Sequence, residues 1–118
     1  MAVKDQVGRY GEDVAARYVR ESGWDVLARN WRCADGELDI VALDGGELVA
    51  IEVKTRRTGT FGSPAEAVTR RKLRRLRRLV AAWLGSQQQS FAGVRVDVIA
   101  VTVAKAGAAQ IEHLRGVE

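Results

Sequence analysis

Residues 36–54 read GELDIVALDGGELVAIEVK. Two alternating runs, 37–43 and 47–54, flank Asp44-Gly45-Gly46, and glycine accepts the positive φ that a two-residue hairpin turn requires. The stretch predicts a β-hairpin. With Gly45 and Gly46 as the loop, cross-strand partners have numbers summing to 91, which sets Asp39 opposite Glu52 and Glu37 opposite Lys54. Alternation then assigns Leu38, Ile40, Ala42, Val49, Ile51 and Val53 to one apolar face. The other face carries Val41, Leu43, Leu48 and Ala50 near the turn, with Glu37, Asp39, Glu52 and Lys54 together at its far end.

Opposed carboxylates in a hairpin lie roughly 5 Å apart at Cβ and repel each other. A hard divalent cation such as Mg²⁺ or Mn²⁺ compensates such a pair, and its bound water can attack a phosphate. Lys54, on the face of Glu52, would steady that phosphate or activate the water. The competing reading is a solvated strand end in which Glu37 and Lys54 form a weak cross-strand ion pair.

At 118 residues the chain is expected to be one domain spanning 1–118, long enough for a substantial core. No apolar run approaches membrane-spanning length and no signal segment is evident, so a cytoplasmic protein without membrane partners is expected. Cys33 and His113 are the only residues of their types, which excludes a cysteine-built metal site and histidine-pair ligation. Cys33 reads as a small hydrophobe, and His113 as a surface residue.

The net charge of +4 is unevenly spread. Between Lys54 and Arg78 ten basic residues stand against the single acid Glu66, so this segment is +9 and the remainder −5. Arg56, Arg57, Arg70, Arg71, Lys72, Arg74, Arg75 and Arg78 therefore form the expected nucleic-acid surface, since phosphate neutralisation dominates non-specific affinity. Salt-bridged solvent helices mix signs, whereas this one repels itself without an external anion.

The remaining elements follow from periodicity. A first helix over 5–21 buries Val7, Gly11, Val14, Ala15 and Tyr18. Glu12 flanks that stripe, about 100° from Gly11, and either looks toward the charged sheet end or is solvated. Residues 24–31 alternate poorly but suit a first strand, with Trp24 and Trp31 used in packing rather than base stacking. Residues 55–64 read as a loop. A capping box of Ser63, Pro64 and Glu66 starts a long helix with Val68, Leu73, Leu76, Val80 and Trp83 inward. Residues 94–103 form a buried strand, parallel to 51–54 because a helix intervenes. Asp97 in it reads as structural, paired with Arg95 or a helix arginine. Residues 109–114 form a short edge strand. The class is α/β, a mixed sheet flanked by helices in the order α-β-β-β-α-β(-β).

Several blocks in order resemble the YraN-like family of small bacterial proteins, grouped with the restriction-endonuclease-like, or PD-(D/E)xK, nucleases. They are Gly8-x-x-Gly11-Glu12-x-x-Ala15-x-x-Tyr18, Asn30-x-Arg32, Gly36-Glu37-Leu38-Asp39, Glu52-Val53-Lys54-Thr55-Arg56, Phe61-Gly62-Ser63-Pro64 with Glu66-Ala67-Val68, and residues 72–76. The resemblance implies a restriction-endonuclease-like core, with Asp39 and Glu52 as metal ligands, Lys54 as catalytic lysine and Glu12 as an auxiliary acid. It also implies Mg²⁺-dependent hydrolysis of phosphodiester bonds. By analogy with junction resolvases, branched or single-stranded DNA of repair or recombination is the expected substrate, with a homodimer or partner protein conceivable. The alternative is a non-catalytic nucleic-acid-binding module that keeps the fold.

Overall fold

The structure is a computed structural model, and it describes residues 3–58, 62 and 68–118, the side chains from Gln6 onward. The element order is α1 (Val3–Glu21), β1 (Asp25–Cys33), β2 (Gly36–Asp44), β3 (Glu47–Arg57), α2 (Arg70–Gly85), β4 (Gly93–Val103) and β5 (Gln110–Leu114). The strands form one mixed sheet in sequential order, antiparallel except for the parallel pair β3–β4. This is the α-β-β-β-α-β-β arrangement that the sequence predicts.

Each face of the sheet buries one helix. Ala15, Ala16 and Val19 of α1 pack with Ile40, Ala42, Val49, Ile51, Ile99 and Val101. Leu73, Leu76, Leu79, Val80 and Trp83 of α2 pack with Leu38, Val41, Leu48, Ala50 and Val96. Sheet strands covered on both sides read as near-continuous hydrophobic runs, which explains VRVDVIAVTV in β4. Trp24 is buried and Trp31 and Cys33 are half-buried, all in the cores.

The hairpin register is as expected from Ile40↔Ile51 through Asp44↔Glu47, around Gly45 at φ 62°. Past Ile40 and Ile51 the ladder between β2 and β3 ends. β2 stays paired with β1 as far as Gly36, and β3 stays paired with β4 as far as Arg57. The sheet is therefore forked at this end. Alternation also slips here, for Leu38 packs under α2 whereas Ile40 packs under α1. Asn30, the β1 residue between the partners of Ile40 and Leu38, takes φ 52°, a left-handed conformation that asparagine tolerates. The single apolar face running from Leu38 to Val53 is corrected accordingly.

Two boundaries also differ, and the poor alternation of β1 has a local cause. The irregular pattern of β1 comes from a bulge between Val26 and Ala28 that leaves Leu27 exposed. β3 extends through Thr55, Arg56 and Arg57 because β4 supplies partners for all three, where local composition reads as loop. Val68 and Thr69 are not helical, and α2 starts at Arg70 with Thr69 as N-cap, its Oγ1 accepting from Lys72 N at 3.1 Å. The capping box at Ser63, Pro64 and Glu66 lies outside the described residues.

His113 is not a surface residue: its side chain is 6% exposed, beneath α1. Its Nε2 donates to Asp97 Oδ2 at 2.7 Å and its Nδ1 meets the Tyr18 hydroxyl at 3.0 Å, the arrangement an acceptor-only carboxylate dictates. Asp97, fully buried, also takes two hydrogen bonds from Arg95 and one from Gly116 N–H. Burial alone would raise its pKa, but the bonds from His113, Arg95 and Gly116 outweigh burial and hold it below the ordinary value. The structural role of Asp97, paired with Arg95, is as expected.

Candidate functional site

The forked end of the sheet gathers acids from three elements. Glu12 on α1 and Glu37 and Asp39 on β2 each offer a carboxylate oxygen, all within 4.8 Å of one another. Asp39 fills the fork itself: its Oδ2 accepts from Val53 N at 2.8 Å, taking the place of the missing strand partner. Glu12 reaches this point because Gly11 lets α1 settle onto Thr55 of β3. Of the two readings open for Glu12, the structure adopts the one directed toward the charged sheet end.

Electrostatics mark Asp39 as the strained member. Its pKa is raised to about 7, first by desolvation and then by the charge of Glu52, with Glu12 and Glu37 adding to the effect and the Val53 bond opposing it. Glu12 is raised as well, by desolvation and then by Glu37, partly offset by Arg29. Burial and mutual repulsion thus both disfavour the ionised forms of Asp39 and Glu12.

Glu52 lies near enough to be the main charge acting on Asp39, yet it does not share the carboxylate cluster. It faces α2, where Lys72 Nζ approaches Oε1 at 3.2 Å. The expectation that Glu37, Asp39, Glu52 and Lys54 occupy one face is corrected by this division. The fork turns the β2 acids toward α1, while Glu52 keeps the regular alternation of β3. Glu37 pairs with Arg32 Nε at 2.7 Å rather than with Lys54. Lys54 is exposed and lines an open pocket of about 830 Å³ together with Glu12, Glu37, Asp39, Arg56 and Arg57. Arg56 is braced by Thr102 Oγ1 and by the Gly62 carbonyl, at 3.3 and 2.7 Å.

Two contributors were not singled out for the site from the sequence. Glu37 joins the carboxylate group. Asn30, with its amide oriented to satisfy both acids, donates to Glu37 Oε1 at 2.9 Å and to Glu12 Oε1 at 2.7 Å. An asparagine within a poorly alternating strand was the available signal, but its target depends on the left-handed backbone.

On α2, Arg70, Arg71, Arg74, Arg75 and Arg78 are all exposed, and among the described residues none has an ion-pair partner. Arg75 passes close to Gly36 at the start of β2, which joins this basic side to the forked end. Lys72 is the exception, being turned inward to Glu52. If nucleic acid is held on this side, replacing Arg74 and Arg75 together by alanine reduces the slope of log affinity against log salt by about 1–2. Titrations at several salt concentrations check this, and an unchanged slope would remove α2 as the contact surface.

No described helix is long and apolar enough to cross a membrane. A family model described as "Uncharacterised protein family UPF0102" matches residues 11–101. The chain is 57% identical over 117 residues to a UPF0102 protein of Beutenbergia cavernae, an alignment covering 99% of each. Similarity to a UPF0102 protein of Kineococcus radiotolerans is 53% identity over 115 residues, covering 97% of this chain and 94% of that one. A Frankia alni UPF0102 protein is 50% identical over 116 residues, covering 98% and 97%. With an α-β-β-β-α-β-β fold, Glu12, Asp39, Glu52 and Lys54 at one end of its sheet, and relatives matched along nearly their whole length, the chain belongs to the UPF0102, or YraN, family.

Proposed function

We propose that this protein is a divalent-cation-dependent nuclease that hydrolyses phosphodiester bonds of DNA. The observation that carries the reading is the convergence of Glu12, Glu37 and Asp39 in a pocket that also holds Lys54, at the sheet end where Arg75 of α2 passes Gly36, with Glu52 on the α2 side close enough to act on Asp39. The donor set fits a hard cation: it is all oxygen, it comes from rigid elements, and its three carboxylates stand within 4.8 Å of one another. Asp39, Glu12 and Glu37 would hold Mg²⁺ or Mn²⁺, with Glu52 as a further ligand. When bound, the cation supplies Lewis acidity toward the phosphoryl oxygens and a water of lowered pKa.

The chain's own residues supply the rest. Arginines of α2 hold the phosphodiester backbone along the helix, and Arg56 and Arg57 approach it from the pocket rim. Lys54, an exposed ammonium in that pocket, stabilises the negative charge that grows on the phosphate as water adds. Asn30 keeps Glu12 and Glu37 in a fixed orientation.

Incubation with Mg²⁺ or Mn²⁺ and labelled duplex, single-stranded, flap and four-way-junction DNA tests the reading. Branched and single-stranded substrates are expected to be cut, with no cleavage in chelator. Binding without cleavage on any substrate would favour the alternative, a nucleic-acid-binding module that keeps the fold.

A further inference from the structure

We propose that Lys72 is a latch on Glu52: its ammonium holds this carboxylate on the α2 side of the sheet and competes with a divalent cation for it. The inference rests on the cation-dependent reading above and adds a control element to that site.

Position is the first argument. Lys72 lies in the first turn of α2, where its backbone N–H is tied to Thr69 Oγ1. At about 100° per residue it projects on the side of Leu76, Leu79 and Trp83, all buried, and away from Arg74 and Arg78. Thus Lys72 is turned toward the sheet while its arginine neighbours face solvent. A cation so directed requires an anion, and Glu52 supplies one at 3.2 Å, with the lysine side chain 29% and the glutamate 18% exposed.

Charge is the second. After desolvation, the charge of Glu52 is the largest influence raising Asp39, so without Lys72 at 3.2 Å its full charge would fall on the carboxylate cluster. Lys72 both damps that field and occupies an oxygen that a cation would use. Removing the ammonium therefore frees one ligand and deepens the negative potential, and both effects favour cation binding.

Isothermal titration of Mn²⁺ into nucleic-acid-free protein tests the latch. Lys72→Met should bind Mn²⁺ about tenfold more tightly than the wild type, and Lys72→Gln should move the same way, so that methionine packing is not the cause. Lys72→Arg, which keeps the charge, and Arg77→Met, which removes a charge elsewhere on α2, should stay within about twofold. An unchanged or weaker affinity in Lys72→Met, or an equal gain in Arg77→Met, overturns the latch alone. Absence of Mn²⁺ binding in every protein, wild type included, overturns the latch together with the cation-dependent reading.

Discussion

Asp39→Asn is expected to lower cation-dependent DNA cleavage by about 10³-fold or more, because it removes the central charge of the carboxylate group while leaving its shape. Asparagine still offers an oxygen to Val53 N–H, so the fork should stay closed in the way the wild type closes it. The same variant should behave oppositely in stability. In the unfolded chain Asp39 loses its proton near the ordinary value of 3.8, whereas in the folded protein it holds that proton until about pH 7. Between these values the unfolded state binds fewer protons, so the Asp39 contribution to stability falls as pH rises and remains low above about 7. Asparagine does not titrate. In chelator, the variant should therefore match the wild type near pH 4 and exceed it by about 1–3 kcal/mol at pH 8. Added Mg²⁺ should stabilise the wild type and leave the variant unmoved. Urea denaturation at both pH values, with and without Mg²⁺, reads all three effects. A variant less stable than the wild type at pH 8 in chelator would mean that the acids are not in electrostatic conflict.

Gly11→Ala should be the most damaging small substitution outside the acids. Helix propensity alone favours alanine by about 1 kcal/mol. Packing decides otherwise, since the new Cβ would collide with Thr55 Oγ1 and lie 2.8 Å from both Thr55 Cβ and Cγ2. Threonine is stiff about χ1 and presents two branches, so no single rotation clears the space. Either α1 lifts or β3 shifts, and the expected cost is about 2–4 kcal/mol. Glu12 is the next residue along the helix, so the displacement should also weaken cation binding. Replacing Thr55 by alanine in the Gly11→Ala background should recover part of both losses. If Gly11→Ala proves as stable as the wild type, the close approach of α1 to β3 is not what positions Glu12.

The hairpin at 36–54 was legible because two signals agree there. Alternation with period 2 names the strands, and a glycine pair whose turn has only a few solutions sets the register. The basic helix was legible because one sign of charge on one side of a 3.6-residue period has few other uses. The membership of Asp39, Glu52, Lys54 and Glu12 in one region likewise followed from register, with the family resemblance adding Glu12. These are local properties, written in the order of residues within one or two elements.

What the tertiary structure decided is how those residues meet. β2 remains with β1 and β3 with β4, and the opening between them is filled by the Asp39 side chain. Regular alternation within a strand carries no mark of such a fork, so Glu37, Leu38 and Asp39 change sides relative to expectation. Asn30 enters through a left-handed backbone, and His113 is buried because a distant helix covers it. Lys72 reads as one more cation of a basic run, and only the packing of α2 turns it onto Glu52. The sequence by itself determined the elements, their order and which charged residues stand near one sheet end. Contacts between elements far apart in the chain determined which carboxylates touch, which one is neutralised and which stays under strain, because burial and charge proximity are properties of the assembled layers.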